Sequence, residues 1–204
     1  MILTWPDYCV SAFRWTSAEQ AIPFKSAFGS QALDVAAPVW SVELAGRPEL
    51  WPEAIEIGTF FESLRGYTNQ IALWNLSQPT PSGTLRGSPT FAVDTPQGAT
   101  QIEIDVGIGQ DGATLRRGDL IGFGSGLTQQ VVRVSADSEA DSSGTLTANI
   151  VTPLRNAFAS GAPIVWDKPK ALFRQSVLTD GIQYQPKLGQ PWALSLLEDW
   201  RPTS

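Results

Sequence analysis

The sequence predicts a mainly β fold in two domains. One domain is built from both chain ends, residues 1–78 and 168–204, with a single flanking helix at about 52–65; a small β domain, residues 79–167, is inserted between them. Three observations lead there: aromatic residues crowd both ends, the hydrophobic period is two nearly everywhere and helical once, and turn residues gather at both junctions. Residues 1–75 hold twelve aromatics, residues 76–165 only Phe91, Phe123 and Phe158, and residues 166–204 five. Aromatics bury large areas and so mark a bulky core. The ends therefore belong together and the middle stands apart. Pro79-Thr80-Pro81-Ser82-Gly83 forms one junction. At the other, Trp166-Asp167-Lys168-Pro169-Lys170 sets a proline between two strand-like segments, where it would interrupt a ladder.

In chain order, Tyr8 to Trp15 alternates, with Phe13 and Trp15 against Arg14 and Thr16, and Val39 to Leu44 does the same. The period then changes. Trp51, Ile55, Phe61 and Leu64, with Phe60 and Ile57 beside them, follow helical spacing. Pro52 suits the first helical position, and Glu53 and Glu56 sit near the positive end of the helix dipole. Arg65 is expected in the last turn and Gly66 at the glycine cap. Ile71 to Leu76 reads as a strand. The middle reads as short strands at Thr90–Asp94, Thr100–Asp105, Leu120–Phe123, Gln130–Ser135, Gly144–Val151 and Pro163–Trp166, separated by glycine turns and the polar run 137–143. Closely spaced short strands point to a small barrel or sandwich. Strands at Ala171–Val177 and Trp192–Glu198 return the chain to the first domain.

Composition narrows the chemistry. The 204 residues are 42% hydrophobic, ample for a core, but only 17% charged. Average soluble proteins carry about 25% charged residues, and depleted charge suits a surface covered by neighbouring subunits. The net charge of −6 argues against gripping phosphate backbones. There is no histidine, which excludes Ser-His-Asp and Cys-His catalysis and every histidine-based zinc site. Cys9 is the single cysteine, so no intrachain disulfide forms. The N-terminus lacks the basic start and apolar run of a secretory signal, and no stretch is long and apolar enough for a membrane span.

Four motifs have plainer readings than their chemical ones. Gly107-Ile108-Gly109-Gln110-Asp111-Gly112 matches a dinucleotide-binding loop, but no helix follows it, so it reads as a turn. Arg117-Gly118-Asp119 spells the integrin-recognition tripeptide, and Gly-Asp before an apolar run is also an ordinary turn into a strand. Asp137, Glu139 and Asp141 alternate, yet lack the downstream Glu and flanking helices of an EF-hand, so they read as a solvated loop. Asp167, beside Trp166, is the one carboxylate suggestive of sugar chemistry, without a partner acid or base. No catalytic, cofactor-binding or metal-ligating residue is assigned.

Several stretches together resemble a known family. They are Phe24-Lys25-Ser26, Gln31-Ala32-Leu33-Asp34, Leu64-Arg65-Gly66 with Asn69, Leu73-Trp74-Asn75-Leu76, Pro81-Ser82-Gly83-Thr84-Leu85-Arg86-Gly87-Ser88-Pro89, Gly118-Asp119, Pro153-Leu154-Arg155, and Trp166-Asp167-Lys168-Pro169 running to Phe173-Arg174. In this order, over nearly the whole chain, they resemble the distal tail or minor tail proteins of Mu-like, long-tailed (siphovirus-type) phages and prophages. The resemblance implies a tail-tube-like belt domain, a split β-barrel or sandwich with one flanking helix. It implies a sixfold ring between tail tube and tip hub, a lumen that passes DNA, a place in the virion after assembly in the host cytoplasm, and no catalytic residues. Relatives of this kind often place a sugar-binding domain at the C-terminus; here the second domain is inserted. A carbohydrate- or fibre-binding tail module is the alternative, and a tail-associated hydrolase a third reading that the missing histidine opposes.

Overall fold

The computed structural model describes residues 1–6, 8–26, 29–177, 184–185 and 188–199. It is mainly β, 43% strand, in several sheets, with one α-helix among the described residues. The chain divides into two compact units. The first comprises Leu3–Ile71 and Phe173–Asp199; the second comprises Ala72–Leu172.

The first unit is built on paired strands, with Phe173–Gln175 beside Trp192–Glu198, then Gly29–Gly46, then Ala12–Ser26. Register explains its core. Phe13 lies opposite Leu44 and Leu44 opposite Leu194; Trp15 lies opposite Val42 and Val42 opposite Leu196. Residues paired this way share a face, so two rows of large apolar side chains point inward. Val42, Leu44, Leu194 and Leu196 are buried, and Trp15 packs edge-on against Phe173 with ring centroids 5.1 Å apart. The opposite face carries Ala12, Ala45 and Ala193 in one row and Arg14, Glu43 and Ser195 in the next.

The helix runs Glu53–Ser63. Its buried positions are Ala54, Ile57, Gly58 and Phe61, the i, i+3, i+4, i+7 stripe of an amphipathic helix. Phe61 meets Trp192 at 5.4 Å, and Phe60 meets Trp5 at 5.5 Å. Trp51 and Ile55, which share the helical spacing in the sequence, are exposed. One residue is about 100° of helix, and the stripe centred on Phe61 turns Ile55 outward. The ends also differ from expectation. Pro52 is the N-cap rather than the first helical residue, and Arg65 lies beyond Leu64, the C-cap. Arg65 itself takes a left-handed φ of 51°, followed by Gly66 at 63°. That turn brings Asn69 back to the helix, where its Nδ2 donates to Ser63 O at 2.7 Å and its N–H to Leu64 O at 3.1 Å. Two carbonyls left open at the helix end are thereby satisfied.

The second unit contains three small sheets. They are Gln130–Arg133, Leu120–Phe123 and Ile164–Val165; Thr114–Leu115 and Ser138–Glu139; and Thr145–Asn149, Gln101–Asp105 and Thr90–Phe91. No sheet closes into a barrel among the described residues. Strict alternation sets the core: Ile102 and Ile104 point inward opposite Ala148 and Leu146. Phe91, Phe123 and Phe158, the three aromatics of the middle segment, meet in one cluster with centroids 5.1–5.6 Å apart.

Candidate interaction surfaces

The hairpin of Ala12–Ser26 and Gly29–Gly46 is far longer than a typical strand pair of five or six residues. Its two strands pair from Ala12 opposite Ala45 to Ser26 opposite Gly29. The third strand, Trp192–Glu198, pairs with Gly29–Gly46 only over Ser41–Gly46. Glu198 extends the support by one residue, accepting a hydrogen bond from the Trp40 N–H at 2.9 Å. Beyond that, no third strand flanks the hairpin among the described residues. The distal pairs from Ala18 to Ser26 make an arm of about 30 Å at strand rise. Two register shifts, between Ala18 and Gln20 and between Gln20 and Ala21, sit at its root. Extra residues on one strand bend and twist a ladder.

Near the helix start of the same unit lies an apolar surface. Leu50 is 64% exposed, Trp51 53% and Ile55 41%. Leu50 belongs to Glu49–Leu50, an outer strand of a three-stranded sheet with Leu188–Gly189 and Tyr184–Gln185.

The second unit has a groove of about 360 Å³, lined among others by Gly87, Pro89, Thr90, Ile164, Trp166 and Asp167. Trp166 is half-buried, and its Nε1–H donates to Gly87 O at 2.9 Å. The Arg86 guanidinium lies 5.0 Å from the Trp166 ring centroid. Arg86 is itself held by Leu85 O at 2.6 Å and Gly83 O at 3.0 Å. The indole is therefore held by these two contacts, with Asp167 exposed at the rim.

Of the motifs singled out in the sequence, the tripeptide and the acidic run meet, through the hydrogen bond from Arg117 N–H to Asp137. Gly107, Gly109 and Gly112 all adopt positive φ in a turn that leads to the strand Thr114–Leu115, not to a helix. Asp119 is fully buried. Its carboxylate accepts from Ser82 N–H and Oγ, both at 2.7 Å, from Gln78 Nε2 at 3.2 Å, from Gly83 N–H at 3.0 Å and from Arg116 N–H at 2.7 Å. A carboxylate so engaged is not available for adhesion, and the tripeptide ending in Asp119 is a structural turn.

The acidic trio is split as well. Asp137 accepts from Arg117 N–H at 2.7 Å and from Arg116 Nη1 at 3.0 Å, and these bonds hold its carboxyl below the ordinary range. Glu139 lies in the short strand with Ser138, in a run expected to be loop. Asp141 turns onto its own loop; the Ser143 hydroxyl, then the Thr145 and Ser143 N–H groups, lower its pKa. Hydrogen bonding to the ionised form is the common cause. Sequence reasoning missed the arm and the Leu50–Trp51–Ile55 surface. No family model matches the chain, and no curated protein matches it.

Proposed function

We propose that this chain is a structural component of a phage tail tip, a subunit of a ring that joins the tail tube to the tip and lets DNA pass. In this reading the first unit is a belt domain of split-barrel or sandwich type, and the second a small barrel-like domain inserted in it. The observation that carries the proposal is the arm. A two-stranded hairpin without a third strand is marginal in water, and open strand edges invite pairing with another chain. An arm that reaches a different surface on the next copy makes a heterologous contact, and such contacts close into rings. The sparse charge supports the same reading. The acidic balance suits a lumen through which DNA slides, because a basic wall would hold its phosphates. The partners are then six copies of this chain, the tube protein, the tip hub and other minor tail proteins, in a virion assembled in the host cytoplasm; no catalytic step belongs to it. Gold-labelled antibody against the chain, applied to tailed particles from the host strain that encodes it, should mark the distal end of the tail. Label on heads, or particles without label, would refute the proposal.

A second reading, a carbohydrate- or fibre-binding module of the tail, is favoured by the Trp166 groove alone. A fixed indole with a carboxylate at its rim suits a sugar ring. Binding of host polysaccharide that is lost in Trp166→Ala supports it; unchanged binding in that variant removes it.

A further inference from the structure

We propose that Asp111–Gly112 is a site of spontaneous covalent modification, at which the aspartate isomerises to isoaspartate through a succinimide. The site depends on neither functional reading above.

The reaction needs several features at one place. The main-chain nitrogen of the following residue attacks the aspartate Cγ. An N–Cγ bond forms, the Cγ–OH bond breaks, and the N–H proton leaves with the hydroxyl as water. Water then opens the five-membered ring, and opening at the main-chain carbonyl leaves isoaspartate. Water is the only co-reactant. The attack therefore requires a small following residue, a main-chain nitrogen free of other bonds, an unengaged carboxyl and access to solvent.

Asp111 and Gly112 meet each requirement. Both are exposed. Gly112 has no Cβ to shield its nitrogen, and its φ of 73° is one that a side chain would strain. Its N–H donates to no group among the described residues, and the Asp111 carboxylate makes no hydrogen bond or ion pair there. The turn is closed around them, by Ala113 N–H donating to Gln110 O at 2.8 Å, which leaves the two reacting residues at its tip. Isoaspartate adds one main-chain atom inside that closed turn.

Two Asp-Ser pairs of the same unit supply the contrast. Asp137, before Ser138, is held by Arg117 N–H at 2.7 Å and Arg116 Nη1 at 3.0 Å. Asp141, before Ser142, accepts from Ser143 Oγ at 2.6 Å and from the Ser143 and Thr145 N–H groups, each at 2.9 Å. These bonds favour the ionised carboxylate, whereas the ring closes from the neutral acid. They must also break before Cγ can turn to the next nitrogen. Asp180–Gly181, the other Asp-Gly pair of the sequence, lies outside the described residues.

Peptide mapping of the full-length chain tests the site. After incubation at neutral pH, trypsin places Asp111 in the peptide 87–116, Asp137 and Asp141 in 134–155, and Asp180 in 175–187. Electron-transfer fragmentation separates isoaspartate from aspartate at each position, and the same chain unfolded in guanidinium gives the reference rate. Asp111 should isomerise in the folded chain at nearly its unfolded rate. Asp141 should be slowed by folding about ten- to a hundredfold, the effect of losing one hydrogen bond to a charged carboxylate on the way to the ring. Asp111→Asn should react faster, with ammonia as the leaving group, and Asp111→Glu should not react, because its ring would need six members. Absence of isoaspartate at Asp111, or the same slowing at Asp111 as at Asp141, overturns the proposal.

Discussion

Replacing Asp119 by alanine removes one carboxylate and strands five donors. Three are main-chain N–H groups, of Ser82, Gly83 and Arg116, which no side-chain rearrangement can withdraw. Hydrogen bonds to a charged acceptor are worth about 1.5–3 kcal/mol each, but neighbours in one network do not add. Ser82 and Arg116 are exposed residues, whereas Gly83 is buried. The expected cost is therefore about 3–5 kcal/mol, a large share of the about 5–15 kcal/mol that holds a domain together. With a urea slope of about 1.5 kcal/mol/M, the midpoint falls by about 2–3 M. Asp119→Asn is the sharper variant. It conserves volume but turns an amide NH₂ toward donors, so it also destabilises, while a purely steric role predicts no change. Urea denaturation followed by hydrogen exchange, read on peptides spanning 78–86 and 114–120, is the assay. A midpoint shift under about 0.3 M in both variants, small against the 2–3 M expected from this slope, would refute the network's role.

Three further outcomes follow from the packing and the charges. Gly46→Ala places a Cβ about 2.1 Å from the Trp192 indole, so it should destabilise the first unit by about 1–3 kcal/mol, read as a lower melting temperature. Asn69→Ala leaves Ser63 O without its Nδ2 donor and should cost about 1 kcal/mol in urea denaturation. Asp137 and Asp141 have folded pKa values below the ordinary 3.8. Their stabilisation is thus present above pH 3.8 and lost as pH falls through the lowered folded values; carbon-detected NMR titration should show both midpoints below 3.8, and Asp141→Asn should flatten the acid limb of the stability curve.

Local alternation was the most legible signal. Leu120–Phe123 and Trp192–Glu198 are strands with the bounds the pattern gives, because every second residue there is buried or the strand is buried throughout. The helix was legible as an element, but its face was not. Both Ile55 and Ile57 fit a 3.6 period, and the buried stripe falls on Ile57, with Phe61 packed on Trp192. The alternation gives two short strands, Tyr8 to Trp15 and Val39 to Leu44, whereas the paired strands run Ala12–Ser26 and Gly29–Gly46. Pro23, Pro38 and the two register shifts break the alternation between Val39 and the far end of the pair. Backbone pairing without a regular side-chain period leaves little trace in sequence. The Leu50–Trp51–Ile55 surface was hidden for the opposite reason: its residues look like core, and exposure is a property of the fold. Asp119 was visible as part of a tripeptide, but its five donors come from segments up to 41 residues away.

The ring is the central claim, and the mass of the purified full-length chain by light scattering, with negative-stain images of the same peak, tests it most directly. A sixfold ring gives a species about six times the 22.0 kDa of one chain that images as an annulus. A monomeric mass that persists at the highest soluble concentration, with no annuli in the images, would contradict it.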